Sequence, residues 1–128
     1  EAAQRLLPEL ATHSDIDLLE FVHIVGISDC YDIEFLSQYI SIEKIHISAY
    51  LPVCGLWAQA CPEQLSKTGK VVFHPLDSVI VEGQTNLLLT KLSPLLTPIL
   101  RYDTGIQAKF LDKKCQCSSL QSFSITKI

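Results

Sequence analysis

The chain has 128 residues, of which 48% are hydrophobic and 19% are charged, and its formal net charge is −4. This length fits one domain or a piece of a larger one, and the composition is too apolar for a disordered chain. The acidic balance, with a pI near 5.4, excludes the basic surface used to bind nucleic acids or anionic membranes. Apolar runs stay well below the ~20 residues of a membrane helix, so we expect a soluble, cytoplasmic protein without nucleic-acid or membrane partners.

The first part of the chain alternates helix and strand patterns. Residues 1–12 have the apolar spacing of a short helix, and an apolar run at 21–25 predicts a buried strand that ends at Gly26. An N-cap signal at 28–29 and the apolar stripe after it predict an amphipathic helix over 29–40. A second strand is predicted over 42–50. Strand, helix and strand in this order form a βαβ unit with a parallel pair.

From Gly55 onward, short apolar runs alternate with turn residues, as they do in hairpins and meanders. The predicted strands cover 55–61, 70–74, 78–82, 86–91, 106–111 and 122–128. The fold class is therefore α/β (α+β), with a βαβ unit followed by a β-rich antiparallel sheet or small barrel. We divide the chain into an α/β segment, 1–54, and a β-rich subdomain, 55–128.

The cysteines suggest a metal site more than a disulfide framework. There are 5 cysteines, an odd number, and Cys30, Cys54 and Cys61 have the apolar neighbours of buried reduced thiols. Cys115 and Cys117 form a Cys-x-Cys pair on a predicted turn, and Cys61 and His74 bracket the hairpin expected beside it. Three cysteines and one histidine form a tetrahedral zinc set, and four protein ligands favour a structural ion. The alternative is an exposed turn with two reduced thiols.

One segment resembles a known enzyme family. The run Thr97-Pro98-Ile99-Leu100-Arg101-Tyr102-Asp103-Thr104-Gly105, followed by Cys115-Gln116-Cys117, resembles the phenylacetate–CoA ligase-like branch of the acyl-adenylate-forming (AMP-binding) enzymes. The resemblance is most specific over 87–117 and extends more weakly along nearly the whole chain. It implies the last third of the large N-terminal domain, up to the interdomain hinge, in an AMP-forming acyl- or aryl-CoA ligase. Similar cysteines recur in that family.

The resemblance also implies a nucleotide site. Gly26, Ile27 and Ser28 would line the adenine of ATP or AMP, Tyr50 would stack on its face, and Arg101 would reach a phosphate or carboxylate. Mg²⁺, a carboxylic acid and CoA would be the other ligands, and the partner would be the rest of such an enzyme or a second copy. Each residue also has a plain structural role open to it: a strand-to-helix turn at Gly26, a sheet-edge aromatic at Tyr50, and a salt bridge at Arg101.

Two positions depart from the family pattern. Cys54 stands where the family has its Mg²⁺-binding Glu, and Ile106 stands where it has the Asp that binds the ribose hydroxyls. Neither side chain supplies the oxygen ligand or acceptor that the chemistry needs, and the chain contains no phosphate-binding loop. We therefore predict no catalytic residue and no catalysis by this chain alone. The alternatives are a pseudo-enzyme scaffold or interaction module, and a small zinc-stabilised β module whose resemblance is accidental.

Overall fold

Strands account for most of the regular structure. A computed structural model of the chain describes residues 2–12, 20–28, 31–83, 85–92, 97–112, 115, 117 and 121–128. Within these ranges the helices are α1 (Ala2–Thr12), α2 (Ile33–Ser37) and α3 (Pro62–Thr68), and a 3-10 turn covers Ile42–Lys44. The strands are β1 (Val22–Gly26), β2 (Ile45–Leu51), β3 (Gly55–Ala60), β4 (Phe73–Pro75), β5 (Val79–Gly83), β6 (Leu87–Lys91), β7 (Ile99–Asp103), β8 (Gln107–Phe110) and β9 (Phe123–Lys127). The fold is mixed α+β.

The strands form two sheets. A six-stranded sheet has the order β1-β2-β3-β4-β9-β8, and a three-stranded sheet has the order β5-β6-β7. β1 and β2 pair in parallel from Val22↔Ile45 to Gly26↔Ala49, as the predicted βαβ unit requires. The other strand pairs among the described residues are antiparallel. Neither sheet closes into a barrel within the described ranges. β2 and β3 pair across the predicted boundary at 54/55, and both segments contribute to one buried cluster.

The crossover helix is shorter than the sequence pattern predicts. α2 begins after Asp32, whose carboxylate accepts a hydrogen bond from the Phe35 N–H at 2.9 Å. It ends at Ser37, where the backbone bonds tighten to a turn: the Tyr39 N–H donates to the Leu36 carbonyl at 3.1 Å. The predicted helix over 29–40 is therefore wrong in its boundaries, because Asp32 caps it three residues further along; positions 29 and 30 lie outside the described residues.

α3 is an element that the sequence pattern did not predict. Its residues were expected to form a turn between two strands, yet Pro62 begins a helix of 7 residues. The Lys67 ammonium pairs with Glu63 at 2.6 Å, one helical turn away, and Gly69 ends the helix with a φ of 69°. A glycine adopts this left-handed conformation without steric cost. The helix displaces the start of the following strand, so β4 begins at Phe73 rather than near residue 70.

Aromatic rings fill the centre of the six-stranded sheet. Trp57 on β3 stacks on Phe123 of β9, with ring centroids 5.7 Å apart and planes 8° apart. Phe73 on β4 lies 5.7 Å from the same Phe123 ring, and all three side chains are buried. The Trp57 Nε1–H has no hydrogen-bond partner among the described atoms, so this residue stabilises the core through its packing.

A lysine joins the two sheets. The Lys91 Nζ, at the end of β6, donates to the backbone carbonyls of Cys54 and Leu56 at 2.8 and 2.7 Å. The first carbonyl lies in the turn between β2 and β3, and the second lies in β3. Apolar residues of β5 and β6 enter the same buried cluster as the larger sheet. None of the described helices is long and apolar enough to cross a membrane.

Candidate metal centre

Four metal-binding side chains converge where β3 ends and β9 begins. One ligand atom from each of Cys61, His74, Cys115 and Cys117 lies within 4.8 Å of the other three. Cys61 follows β3, His74 lies in β4, and the other two cysteines lie in the connection between β8 and β9. The cluster could therefore hold a metal ion, and its members are the four residues that the sequence singled out.

Backbone hydrogen bonds fix the position of Cys61. Its N–H donates to the Val72 carbonyl at 2.7 Å, and its own carbonyl accepts from the Leu65 N–H at 3.1 Å. The first bond ties it to the segment that leads into β4, and the second makes it the N-cap residue of α3. Pro62 adds a fixed φ at the first helical position. The Cys61 thiol is thus held by three elements before any ion binds.

His74 has the hydrogen bonding of a metal-ligating imidazole. Its Nδ1 lies 2.7 Å from the Gln121 backbone oxygen. A carbonyl only accepts, so Nδ1 must carry the proton, and Nε2 then presents a lone pair. That lone pair faces Cys117, whose Sγ is 3.0 Å from Nε2. A hydrogen bond from the other ring nitrogen to a carbonyl fixes the orientation of a ligating imidazole.

The sulfur atoms have the spacing of a coordination shell. The Cys61 and Cys115 Sγ atoms are 3.6 Å apart, near the ~3.8 Å expected between two thiolates on one tetrahedral zinc ion. The distance far exceeds a disulfide bond of about 2.05 Å, and Cys54, Cys61, Cys115 and Cys117 are all reduced. The Gln64 side-chain amide approaches the Cys115 Sγ at 3.8 Å. Cys30 lies outside the described residues.

The charge state of the cluster depends on whether a cation is bound. Burial raises the pKa of the Cys61 thiol to about 11, and the adjacent Cys115 and Cys117 thiols add to this rise, although the Gln64 backbone N–H opposes it. Three thiolates cannot share so small a volume without a counter-charge. A bound metal ion supplies that charge and deprotonates the thiols that coordinate it.

An open groove gives access to the cluster. It has a volume of about 510 Å³, and Cys61, His74 and Cys117 form part of its wall together with Asp77. His74 and Cys117 are partly exposed, whereas Cys61 and Cys115 are buried. An ion can therefore enter from the side of the half-exposed ligands while the buried pair completes its coordination.

The residues of the expected nucleotide site lie in two places: around the ends of β1 and β2, and on the three-stranded sheet. Gly26 pairs with Ala49 at the carboxyl end of the parallel strands, which brings it next to Tyr50; Tyr50 is 43% exposed. Ile27 packs against the core, and the Ser28 N–H donates to the Tyr31 hydroxyl at 3.0 Å. The Gly26 φ of 151° is a conformation that favours glycine.

Structural contacts account for Arg101 and for the two positions that depart from the family pattern. Arg101 lies on β7 of the three-stranded sheet, and its Nε is 3.6 Å from the Glu82 carboxylate, in line with the salt-bridge alternative. Cys54 and Ile106 are buried, at 6% and 2% exposure. Their carbonyls accept hydrogen bonds from Lys91 and from the Leu87 N–H. Both positions are parts of the core.

Two contributors to the metal centre escaped the sequence pattern. The Gln121 carbonyl orients His74, and the Gln64 amide approaches Cys115. A backbone carbonyl has no signature in a sequence, and a glutamine on a short helix has none that distinguishes it from a surface residue. No protein-family model matches this chain, and no curated protein matches it. The metal centre therefore rests on its geometry, and the adenylate-forming resemblance stays a prediction from the sequence.

Proposed function

We propose that this chain is a zinc-stabilised scaffold module that serves binding or assembly and not catalysis. Cys61, His74, Cys115 and Cys117 hold one structural Zn²⁺ ion. The observation that carries the proposal is the convergence of four donor atoms within 4.8 Å, with the histidine oriented by a backbone carbonyl. The adenylate-forming resemblance supplies the ancestry of the scaffold in this proposal.

Zinc is the metal that this donor set suits best. Three thiolates and one imidazole are soft or borderline ligands, and a tetrahedral set of sulfur and nitrogen is typical of zinc. Mg²⁺ and Ca²⁺ require oxygen donors and are disfavoured here. Four protein ligands leave no open position for water or substrate, so the ion stabilises the structure and does not act as a Lewis acid.

Metal analysis tests this proposal. We expect about one zinc ion per chain in protein purified without added chelator, measured by inductively coupled plasma mass spectrometry. Replacing the ion with Co²⁺ should give the intense visible absorption of a tetrahedral thiolate site. Cys117→Ala and His74→Ala should each lower the metal content, whereas Cys54→Ala, a buried cysteine outside the cluster, should retain it. Substoichiometric metal that does not respond to these substitutions would reject the proposal.

A second candidate is a portion of an AMP-forming acyl- or aryl-CoA ligase, completed by the rest of that enzyme or by a second copy. The observation that favours it is the pairing of Gly26, at the end of β1, with Ala49, the residue that precedes the exposed Tyr50. In this candidate the ring stacks on adenine, so Tyr50→Ala should weaken ATP or AMP binding about tenfold, while Val53→Ala, at an exposed apolar position, should not.

The same candidate is compatible with an inactive chain. We expect no ATP–pyrophosphate exchange by these 128 residues with any carboxylic acid, because buried Cys54 and Ile106 replace the carboxylates that would hold Mg²⁺ and ribose. Robust exchange that Tyr50→Ala abolishes would establish a working site and overturn that expectation. Absence of both nucleotide binding and exchange would leave the scaffold as the function.

A further inference from the structure

We propose that the metal ion crosslinks two halves of the six-stranded sheet, so that zinc occupancy controls whether the β8–β9 hairpin remains attached. This inference rests on the proposed zinc site. It assigns that site a regulatory role, in which free Zn²⁺ is the ligand and the hairpin is the part that moves.

The weak point of the sheet is the junction between β4 and β9. In the described part of the chain this junction has a single residue pair, Phe73↔Phe123. On either side the pairing is longer: three residue pairs join β3 to β4, and four join β8 to β9. β4 itself has only 3 residues. Backbone hydrogen bonds therefore hold each half together better than they hold one half to the other.

The four ligands are divided equally across this junction. Cys61 and His74 belong to the β3–β4 half, whereas Cys115 and Cys117 belong to the connection within the β8–β9 half. An ion bound by all four joins both halves through strong bonds. Had all the ligands come from one half, metal binding would stabilise that half and leave the junction unchanged.

Further contacts cross the junction, and one of them is made by a residue of the cluster. The His74 Nδ1–H donates to the Gln121 carbonyl at 2.7 Å, and a metal ion on Nε2 would hold the ring in the orientation that this bond needs. Another is the packing of Phe123 on Trp57 and Phe73. Without metal, the hairpin is held by this packing and by a few polar contacts, such as the bond from the Gln121 Nε2–H to the Val81 carbonyl at 3.2 Å, while β1 and β2 keep their five residue pairs. Metal loss should thus open the β4–β9 junction locally.

Hydrogen exchange measured by mass spectrometry tests the inference on the wild-type chain. Zinc-loaded protein is compared with chelator-treated protein, both with a reducing agent present so that no disulfide forms. We expect amides at 107–110 and 123–127 to exchange at least about tenfold faster after zinc removal, with a change within about twofold at 45–51. Adding ZnCl₂ back should restore protection.

Trp57 provides a second measurement. It is the only tryptophan and stacks directly on Phe123 of β9, so its emission should shift to longer wavelength when the hairpin detaches. The shift should appear in Cys117→Ala without chelator and should be absent in Cys54→Ala. If Cys117→Ala does not fold, titration of the wild-type chain with chelator and ZnCl₂ gives the same measurement.

The outcomes separate this inference from the proposed function. Absence of stoichiometric zinc would reject both. Stoichiometric zinc with no change in exchange on its removal, or with equal loss of protection at 45–51 and 123–127, would leave the zinc site standing and overturn the local crosslink.

Discussion

Arg101 has a backbone conformation that residues other than glycine rarely adopt, with a φ of 46°. It lies where the pairing of β6 and β7 shifts register, and its N–H donates to the Thr90 hydroxyl at 3.0 Å. The pair with Glu82 is exposed on both sides, and exposed ion pairs contribute little to stability. The local backbone is therefore strained, and its side chain does little to offset that strain.

We expect Arg101→Gly to be more stable than Arg101→Ala by about 1 kcal/mol, because glycine occupies this region without a steric penalty. Both variants lose the pair with Glu82, so the difference between their free energies of unfolding reports the backbone strain at position 101. Urea unfolding measures it. At the neighbouring exposed Leu100, where φ is not positive, the order should reverse. A less stable glycine variant at position 101 would contradict the strain.

Phe123 anchors the aromatic core. It is fully buried and contacts the rings of Trp57, Phe73 and Phe110. Phe123→Ala should lower the free energy of unfolding by about 3–5 kcal/mol, through lost burial and the cavity left behind. The matched control is Phe21→Ala, at a ring that is 57% exposed, which should cost less than about 1 kcal/mol. Equal losses at the two positions would contradict the assigned core.

At the scale of elements, Lys91 makes polar contacts that join the small sheet to the large one. Its ammonium donates to one carbonyl of the β2–β3 turn and to one of β3, and hydrogen bonds to a charged group are stronger than neutral ones. We expect Lys91→Met to lower the free energy of unfolding by about 2–3 kcal/mol, measured by thermal or urea unfolding. Lys109→Met, on an exposed position of β8, should change it by less than about 0.5 kcal/mol.

Strands were predictable from the sequence where apolar runs end at turn residues. β1, β3, β5, β6 and β9 each lie within two residues of the predicted bounds at both ends, because the alternation of buried and exposed positions is local information. The helices were less predictable. Both Asp32 and the pair at 28–29 are residues that can cap the start of α2, and no local sequence signal distinguishes between them. At α3 the signals were present, with Pro62 at the start and Gly69 after the end, but a helix of 7 residues is short enough to resemble a turn.

The metal centre shows what the sequence can and cannot predict at the scale of the molecule. Residue type and the Cys-x-Cys spacing identified a chemically complete set, and Cys61, His74, Cys115 and Cys117 do meet. The sequence could not predict why they meet. Their convergence depends on β9 pairing with β4, and these strands are separated in the chain by the whole three-stranded sheet. Long-range pairing of this kind leaves no local pattern.

The magnitudes suggest which contact dominates the β4–β9 junction. Structural zinc in small domains contributes apparent binding free energies of roughly 10–16 kcal/mol, against about 3–5 kcal/mol for a buried aromatic ring such as Phe123. Zinc bound at the proposed site would therefore contribute more than the packing across the junction, even if ordering the β8–β9 connection cost much of its binding free energy.

The separation of the two ligand pairs along the chain also has a consequence for folding kinetics. Cys61 and His74 enter the structure with β3 and β4, whereas Cys115 and Cys117 can join them only after β9 has crossed back to β4. Contacts between distant segments form late, after the entropy of closing the intervening loop has been overcome. We therefore expect coordination by all four ligands to form late in folding and to break early in unfolding.

We expect zinc to slow unfolding strongly and to change the folding rate little, since an interaction absent from the transition state acts on the unfolding rate alone. Stopped-flow fluorescence of Trp57, with and without ZnCl₂, measures both rates. A folding rate that rises in proportion to stability would mean that the ion is captured early. In the expected case the bound ion sets the lifetime of the folded state, and the rate at which the fold is reached depends on the strands alone.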